Sequence, residues 1–333
     1  MAKKRIHWVD MVKGYGIVLV VIGHSLAAFN RRVSTPDIHS DFIFNCIYSY
    51  HMALFFFVSG IFIHSWAHKH TNKAIKIKFK RLMFPYFIWG IILILIEGIY
   101  THNIQLIRIV ELPVRPTLIL WFLYSLFIDY LIYYFIIRIT KNNTLVILSF
   151  SLIIFFIGSV ITHEVKFPVD TTLQVISQSL YYFIFLYLGS LVNKINYTSM
   201  FTNYLVLLSA IITFVGLNWV SMNFGFGNFY PLLKFIVTVS GIYSTVSIMY
   251  LLEKYSFVNR LFTYLGQLTM PIYLMHKIIV ELVSLLAIKL TSLMWPFALI
   301  TTVLSILVCI IGYNIIKNIH LEEYLFGGVE SIK

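Results

Sequence analysis

The stretch DMVKGYGIVLVVIGH, Asp10 to His24, is apolar enough to enter a lipid bilayer, yet it carries a lysine near one end and a histidine at the other. On an α-helix the eleven-residue advance from Lys13 to His24 falls about 20° short of or past full turns, so the two side chains share one face. They stand roughly 16 Å apart along the axis. Asp10 precedes Lys13 by three residues and lies on the same side, near enough to orient or partly neutralise its ammonium. A second histidine, His51, sits among aromatic residues in YSYHMALFFFVSG. Taken alone, Lys13 reads as an anchor that snorkels to the membrane edge, and His24 as a packed, hydrogen-bonded ring. Together at this spacing they favour function, because ionisable groups inside apolar spans are costly and tend to be retained for chemistry. An imidazole sheltered from water stays neutral and serves as a base near pH 7, so two such rings suggest proton transfer.

These residues need helices to position them. The chain has 333 residues, 59% hydrophobic and 11% charged, with a mean hydropathy of +0.86. No water-soluble domain of this size carries such a composition. The apolar runs read as ten transmembrane spans, at 10–29, 42–66, 82–100, 117–137, 144–162, 174–193, 203–222, 231–252, 268–288 and 293–316. Each is long enough to cross a hydrocarbon core of about 30 Å as a helix. The fold class expected is therefore an all-α, polytopic helical membrane bundle. Residues 1–333 are expected to form a single domain, with no separate soluble domain. Entering at about residue 42, the second span carries His51 to a level able to meet His24.

The basic residues set an orientation. With the N-terminus inside, the inner segments hold Lys3, Lys4, Arg5, the cluster from Lys69 to Arg81, Arg138, Lys141, Lys194, Lys254, Arg260, Lys317 and Lys333. The outer loops hold only Arg31, Arg32, Arg108, Arg115, Lys166 and Lys289. Positive charge is retained on the cytoplasmic side, so both termini are expected there. The same bias, which anionic inner-leaflet lipid favours, accounts for the net charge of +12 without nucleic acid. No folded basic domain exists to bind nucleic acid. The N-terminal basic residues and apolar run resemble a secretory signal, but Lys13 and His24 suit its apolar core poorly and nine spans follow, so the first helix is expected to be kept. Cys46 and Cys309 fall within spans, and no metal-ligand spacing is present. The basic loop HKHTNKAIKIKFKR (68–81) is expected to continue as an amphipathic helix into the third span. The loop THNIQLIRIVELPVRPT (101–117), with Pro113 and Pro116 to stop helix, is expected to form an interfacial lid.

At this point a resemblance emerges. The pattern D-x-x-K-G-x-x-I-x-x-V-x-x-G-H, from Asp10 to His24, resembles the first-helix signature of the acyltransferase 3 family of membrane O-acyltransferases. HMALFFFVSG (51–60), KFKRLMFPYFIWG (78–90), LWFLYSLF (120–127) and GQLTMPIYLMH (266–276) resemble later family segments in their usual order. The closest likeness is to the short, single-domain branch that includes fucose 4-O-acetylase-like and exopolysaccharide O-acetyltransferases. The chain departs from the pattern at Lys13, where arginine is more frequent, at Ala53, where proline often follows His-Met, and at Thr269 and Pro271.

The resemblance implies transfer of an acyl group, usually acetyl, from cytoplasmic acetyl-CoA to a sugar hydroxyl of a lipid-linked or polymeric cell-surface glycan. It implies a place in the cytoplasmic membrane, with membrane lipids and the glycan as partners. The family's catalytic role falls on His24, as general base, with His51 or Tyr86 in support or donating to the oxyanion. Coenzyme A is a polyanion, and Lys13, Lys78 and Arg81 at the cytoplasmic edge suit its phosphates. No metal is expected. His276, followed by Lys277 and Glu281, is expected nearer the cytoplasmic end of the ninth span, as a coenzyme A contact or a structural hydrogen bond. A glycan exporter or flippase is the competing class. It is disfavoured because intramembrane carboxylates are few and no repeat symmetry is visible. Richness in Ile, Lys, Asn and Phe suggests an AT-rich bacterial genome. The sequence is silent on oligomeric state and on which hydroxyl is modified.

Overall fold

The computed structural model describes residues 6–32, 38–117, 120–165, 171–194 and 197–328. Lys3, Lys4, Arg5, Lys166 and Lys333 of the charge tally lie outside them. Every regular element among the described residues is helical. In chain order these are α1 (His7–Arg32), α2 (Ile38–Tyr48), α3 (His51–Ile61), α4 (Ile63–Ala67), α5 (Thr71–Lys78), a π-helical turn (Phe79–Met83), α6 (Phe84–Tyr100), α7 (Ile107–Glu111) and α8 (Trp121–Ile139). There follow α9 (Thr144–Glu164), α10 (Thr172–Leu191), α11 (Tyr197–Phe201), α12 (Tyr204–Phe224), α13 (Tyr230–Leu252), α14 (Ser256–Gln267), α15 (Thr269–Leu290), α16 (Met294–Asn318) and α17 (Glu322–Phe326).

Ten segments among the described residues are long and apolar enough to cross a membrane, and each matches one of the ten expected spans. The protein is a polytopic helical membrane protein. Helices satisfy their own backbone groups, which is the condition for entering lipid. The outward faces are correspondingly apolar. On α12, for instance, Leu205, Leu208, Ile212 and Val215 are exposed, and only Leu207 and Asn218 are buried.

Most spans differ from the expected bounds by a few residues at their ends. The third helix begins at Thr71, because the basic segment 68–81, expected to run on as a helix into this span, does so through α5 and the π turn. Pro85 has no N–H to offer the carbonyl four residues back, and the turn before it widens so that the Phe84 N–H reaches the Phe79 carbonyl. The second span ends at Ile61 rather than 66 and is broken at Ser49 and Tyr50, between α2 and α3. Side chains supplement the weakened backbone bonding at the break. The Thr238 hydroxyl shares its one proton between the Ser49 carbonyl at 2.9 Å and the Lys234 carbonyl of its own helix at 2.8 Å, and the Ile47 carbonyl, which accepts from the Tyr50 N–H at 3.3 Å, also lies 2.8 Å from Nδ1 of His51.

The helices group into two compact units. One comprises Met1–Val58 and Asn193–Ile319, the other Ser59–Val192 and His320–Ser331. In the first, α1 is central and packs against α2, α13, α14, α15 and α16. Its crossing with α14 is closed by glycine. A Cβ at Gly14 would lie 2.0 Å from the Phe262 carbonyl oxygen, and one at Gly266 would lie 1.9 Å from that of Asp10. Small residues of this kind let helix backbones touch where lipid offers no hydrophobic push. Trp8 anchors the start of α1 among Tyr197, Phe201 and Tyr250.

In the second unit α10 packs between α8 and α9. Asp129 on α8 is wholly buried and accepts a hydrogen bond from Ser179 on α10. The segment around α17 lies on α6, where the Trp89 indole N–H donates to the Leu325 carbonyl at 2.9 Å and Lys80 pairs with Glu323 at 3.9 Å.

Candidate functional site

The first unit brings together three histidines' worth of elements around α1. His24 on α1 and His276 on α15 stand with ring centroids 4.9 Å apart and planes inclined by 52°. An N–H···N hydrogen bond between two imidazoles needs centroids at about 5 Å, given an N···N distance near 2.9 Å. The two rings stand at the separation such a bond requires.

His276 is 1% exposed. Its Nδ1 lies 2.7 Å from the Tyr273 carbonyl and 3.2 Å from that of Ile272. A carbonyl can only accept, so in the neutral ring Nδ1 carries the proton and Nε2 carries a lone pair. That Nε2 is buried with no hydrogen-bond partner among the described residues. Buried polar atoms are usually satisfied, so this lone pair, beside a second imidazole, is open to a donor from that ring or from a ligand.

His51 obeys the same logic. Its Nδ1 donates to the Ile47 carbonyl at the α2/α3 break, which leaves Nε2 as the acceptor. The ring packs edge-on against Tyr48, centroids 4.9 Å apart. Tyr48 in turn lies against α1: a Cβ at Gly23, next to His24, would come within 2.9 Å of its ring. Tyr48 thus connects the His51 ring to the backbone beside His24. The sequence reading missed it, although its place three residues before His51, one helical turn away, is visible in YSYH.

Other contacts fix α1 at this level. Ser25 donates to the Val21 carbonyl at 2.9 Å and receives a hydrogen bond from Thr302 on α16 at 3.2 Å. Phe29 meets Phe297 with centroids 5.2 Å apart.

His276 was expected nearer the start of its span than His24, and the structure corrects this. α1 and α15 run the same way: Gly266, just before α15, meets Asp10, and Glu281 meets Arg31 and Arg32. Between those fixed ends the two histidines come side by side. Counting residues into a span gives depth only if spans start level with one another, and these do not.

At the Lys13 end, Nζ lies 3.2 Å from Asp10 Oδ1, as the spacing implied. At the far end a single carboxylate, Glu281, is shared by Arg31, Arg32 (3.1 Å) and Lys277 (3.1 Å). The second unit holds Lys78, Arg81 and Tyr86. Lys78 ends α5 with its ammonium 3.4 Å from the Tyr130 ring centroid and 5.4 Å from that of Trp66, a cation–π setting. Arg81 lies in the π turn. Tyr86 is wholly buried, and its hydroxyl donates to the Leu112 carbonyl at 2.7 Å. That proton is committed to the backbone, so Tyr86 is a structural anchor here rather than an oxyanion donor. Among the described residues no three His, Cys, Asp or Glu side chains converge as a metal ion would require.

The arrangement sets two buried histidines, His51 and His276, and the half-buried His24 among packed helices, and an imidazole lone pair in such a place is suited to taking a proton from a weak acid such as an alcohol. In comparison with known proteins, a family model described as an acyltransferase domain, acyltransferase 3, matches residues 6–314. No curated protein and no solved structure matches the chain.

Proposed function

From a chain that belongs to the acyltransferase 3 family and is therefore a membrane acyltransferase, we propose that it moves an acetyl group from acetyl-CoA to a sugar hydroxyl of a lipid-linked or polymeric cell-envelope glycan. The observation that carries this reading is the His24–His276 contact, with its buried and unpartnered Nε2.

In the proposed reaction His24 takes the proton of the acceptor hydroxyl as the oxygen attacks the thioester carbonyl. The new C–O bond forms, the tetrahedral intermediate collapses, and the C–S bond breaks. The thiolate that leaves recovers a proton from the His24 imidazolium, so the enzyme returns to its starting state. The lone pair on His276 Nε2 receives the other ring N–H of His24, which fixes the tautomer and steadies the imidazolium as it forms. Orientation of a base by a third group is the logic of the hydrolase triads. Direct transfer is the route proposed, since the Ser25 hydroxyl beside His24 spends its proton on the Val21 carbonyl rather than on an imidazole. His51 is the second base, oriented through its Nδ1.

The donor is proposed to come from the cytoplasm, with the Lys13 ammonium of the first unit as the point charge that meets its phosphates; Lys78 and Arg81 of the second unit are cations of the same kind, expected from the sequence as further phosphate contacts. Lys13 also meets Asp10, which holds the ammonium in place at part of its charge's expense. The acceptor is proposed to be glycan at the cytoplasmic membrane of a bacterium.

The experiment supplies isotopically labelled acetyl-CoA to membrane vesicles with and without this protein and examines the glycan by mass spectrometry. Labelled O-acetyl groups on the glycan that depend on the protein support the reading. Label found only on lipid or protein, or a glycan unchanged in acetylation but lost from the surface, overturns it; the latter is the exporter's signature.

A further inference from the structure

The second unit holds a cavity of about 280 Å³ lined by Ile94, Glu97, Gln105, Arg108, Glu111, Arg115 and Thr117. It adjoins another of about 260 Å³ that shares Ile94, Glu97, Gln105 and Arg108 and adds Gly98, Thr101 and Asn103. Helix α6 gives one wall, and the segment 101–117 gives the other. That segment is tied down at three points. Leu112 is buried and receives the Tyr86 hydroxyl, Tyr124 donates to the Pro113 carbonyl at 2.8 Å, and Thr172 donates to the Val114 carbonyl. The walls are therefore preorganised, which lowers the entropy cost of binding.

The lining is unusual in kind. Most ligand pockets are chiefly apolar, whereas among the described lining residues Ile94 is the one large apolar side chain. Charge is balanced within the wall: Arg108 pairs with Glu97 at 2.8 Å and Arg115 with Glu111 at 3.0 Å. Paired this way, the guanidiniums do not call for an anion nor the carboxylates for a cation. Arg115 and Glu111 nonetheless keep donors and acceptors beyond the pair, since a guanidinium has five N–H groups and a carboxylate about four acceptor sites. Thr117 adds a second, independent sign. It is 8% exposed and lines the cavity, and its Oγ1 is buried with no hydrogen-bond partner among the described residues.

We propose that this groove is a binding site for a neutral sugar ring, whose closely spaced hydroxyls both donate and accept and so match a wall of paired charges, an amide and an unpartnered hydroxyl. A phosphate or uronate would have to break the ion pairs, and a peptide would find no apolar recess for its side chains. Binding of the sugar stands apart from acyl transfer; naming it as part of the acceptor rests on the acetyltransferase reading.

The test is saturation-transfer NMR on the full chain in nanodiscs, with methyl glycosides of glucose, galactose, mannose and N-acetylglucosamine, and with glucuronate and glucose 6-phosphate as anionic comparators. At least one neutral glycoside is expected to receive saturation. Its affinity should fall about fivefold or more in Gln105→Ala, as the loss of a polar contact implies, and should vanish in Thr117→Phe, which fills the cavity. Gln105 is exposed, so its variant decides the matter if Thr117→Phe does not fold. Absence of binding by every neutral glycoside, equal binding in Gln105→Ala and wild type, or tighter binding of the anionic sugars overturns the proposal. Failure here is separable from failure of the catalytic reading: a wild-type protein that transfers acetyl groups but binds no glycoside removes the sugar site alone, and a His24→Ala protein that binds glycoside without transferring acetyl leaves it standing.

Discussion

The histidine cluster of the first unit and the charged groove of the second are both polar sites in an apolar protein, and they manage polarity in opposite ways. Around His24 and His276 a buried ring nitrogen has no hydrogen-bond partner among the described residues, a costly placement that a proton donor would relieve. Along the groove almost every charge already has its partner, so nothing there is driven to take or give a proton. The first arrangement suits a reaction. The second suits recognition of a ligand that exchanges one set of hydrogen bonds for another.

That contrast is open to attack by mutation. The largest effect is expected from His24→Ala, which should lower acyl transfer by roughly 10³-fold, within the range of general-base catalysis, while leaving glycoside binding by the groove unchanged. His276→Ala is expected to cost about 10²-fold, because it removes an orienting group and leaves the base. His276→Gln should recover part of the loss, as its amide oxygen can accept near the position of Nε2. A purely packing role for His276 would instead make both variants lose thermal stability in step with activity. Gly14→Leu should destabilise the first unit by about 1–3 kcal/mol through overpacking against the Phe262 carbonyl. In a thermal melt followed by glycoside NMR, the groove should outlast the histidine site. The smallest effect is expected from Thr238→Val, which strips the Ser49 carbonyl of its inter-helix donor. It should cost about 1 kcal/mol and loosen the α2/α3 break that holds His51, visible as faster amide exchange at Tyr50 and His51.

The sequence carried the ten spans because each is a long apolar run, and the observed helices differ from the expected ones chiefly at ends. His7–Arg32 stands for 10–29, and Thr269–Leu290 for 268–288. The single-helix relations were also legible, since the 3.6-residue period alone places Asp10 beside Lys13 and Lys277 beside Glu281. What escaped was anything set between helices. Nothing in the spacing says that α15 lies against α1, so the pairing of His276 with His24 was not visible, and depth counting misplaced it. The break at Ser49 and Tyr50 has no proline or glycine to announce it, and is stabilised by Thr238 from a helix nearly two hundred residues on. The groove was hidden for the same reason. Glu97 belongs to a helix and Arg108 to the segment after it, and only the fold makes them a pair. The loop 101–117 was expected as a lid, and its threefold anchoring makes it a fixed wall.

The central claim is that the His24 imidazole removes the acceptor proton. Its most direct test compares acetyl transfer to glycan by reconstituted wild type, His24→Ala, and His24→Ala supplied with free imidazole, each normalised to correctly inserted protein. The account predicts a loss of about 10³-fold in the variant and partial recovery by imidazole that wild type does not show. An inserted, folded His24→Ala protein that transfers acetyl at the wild-type rate would contradict it.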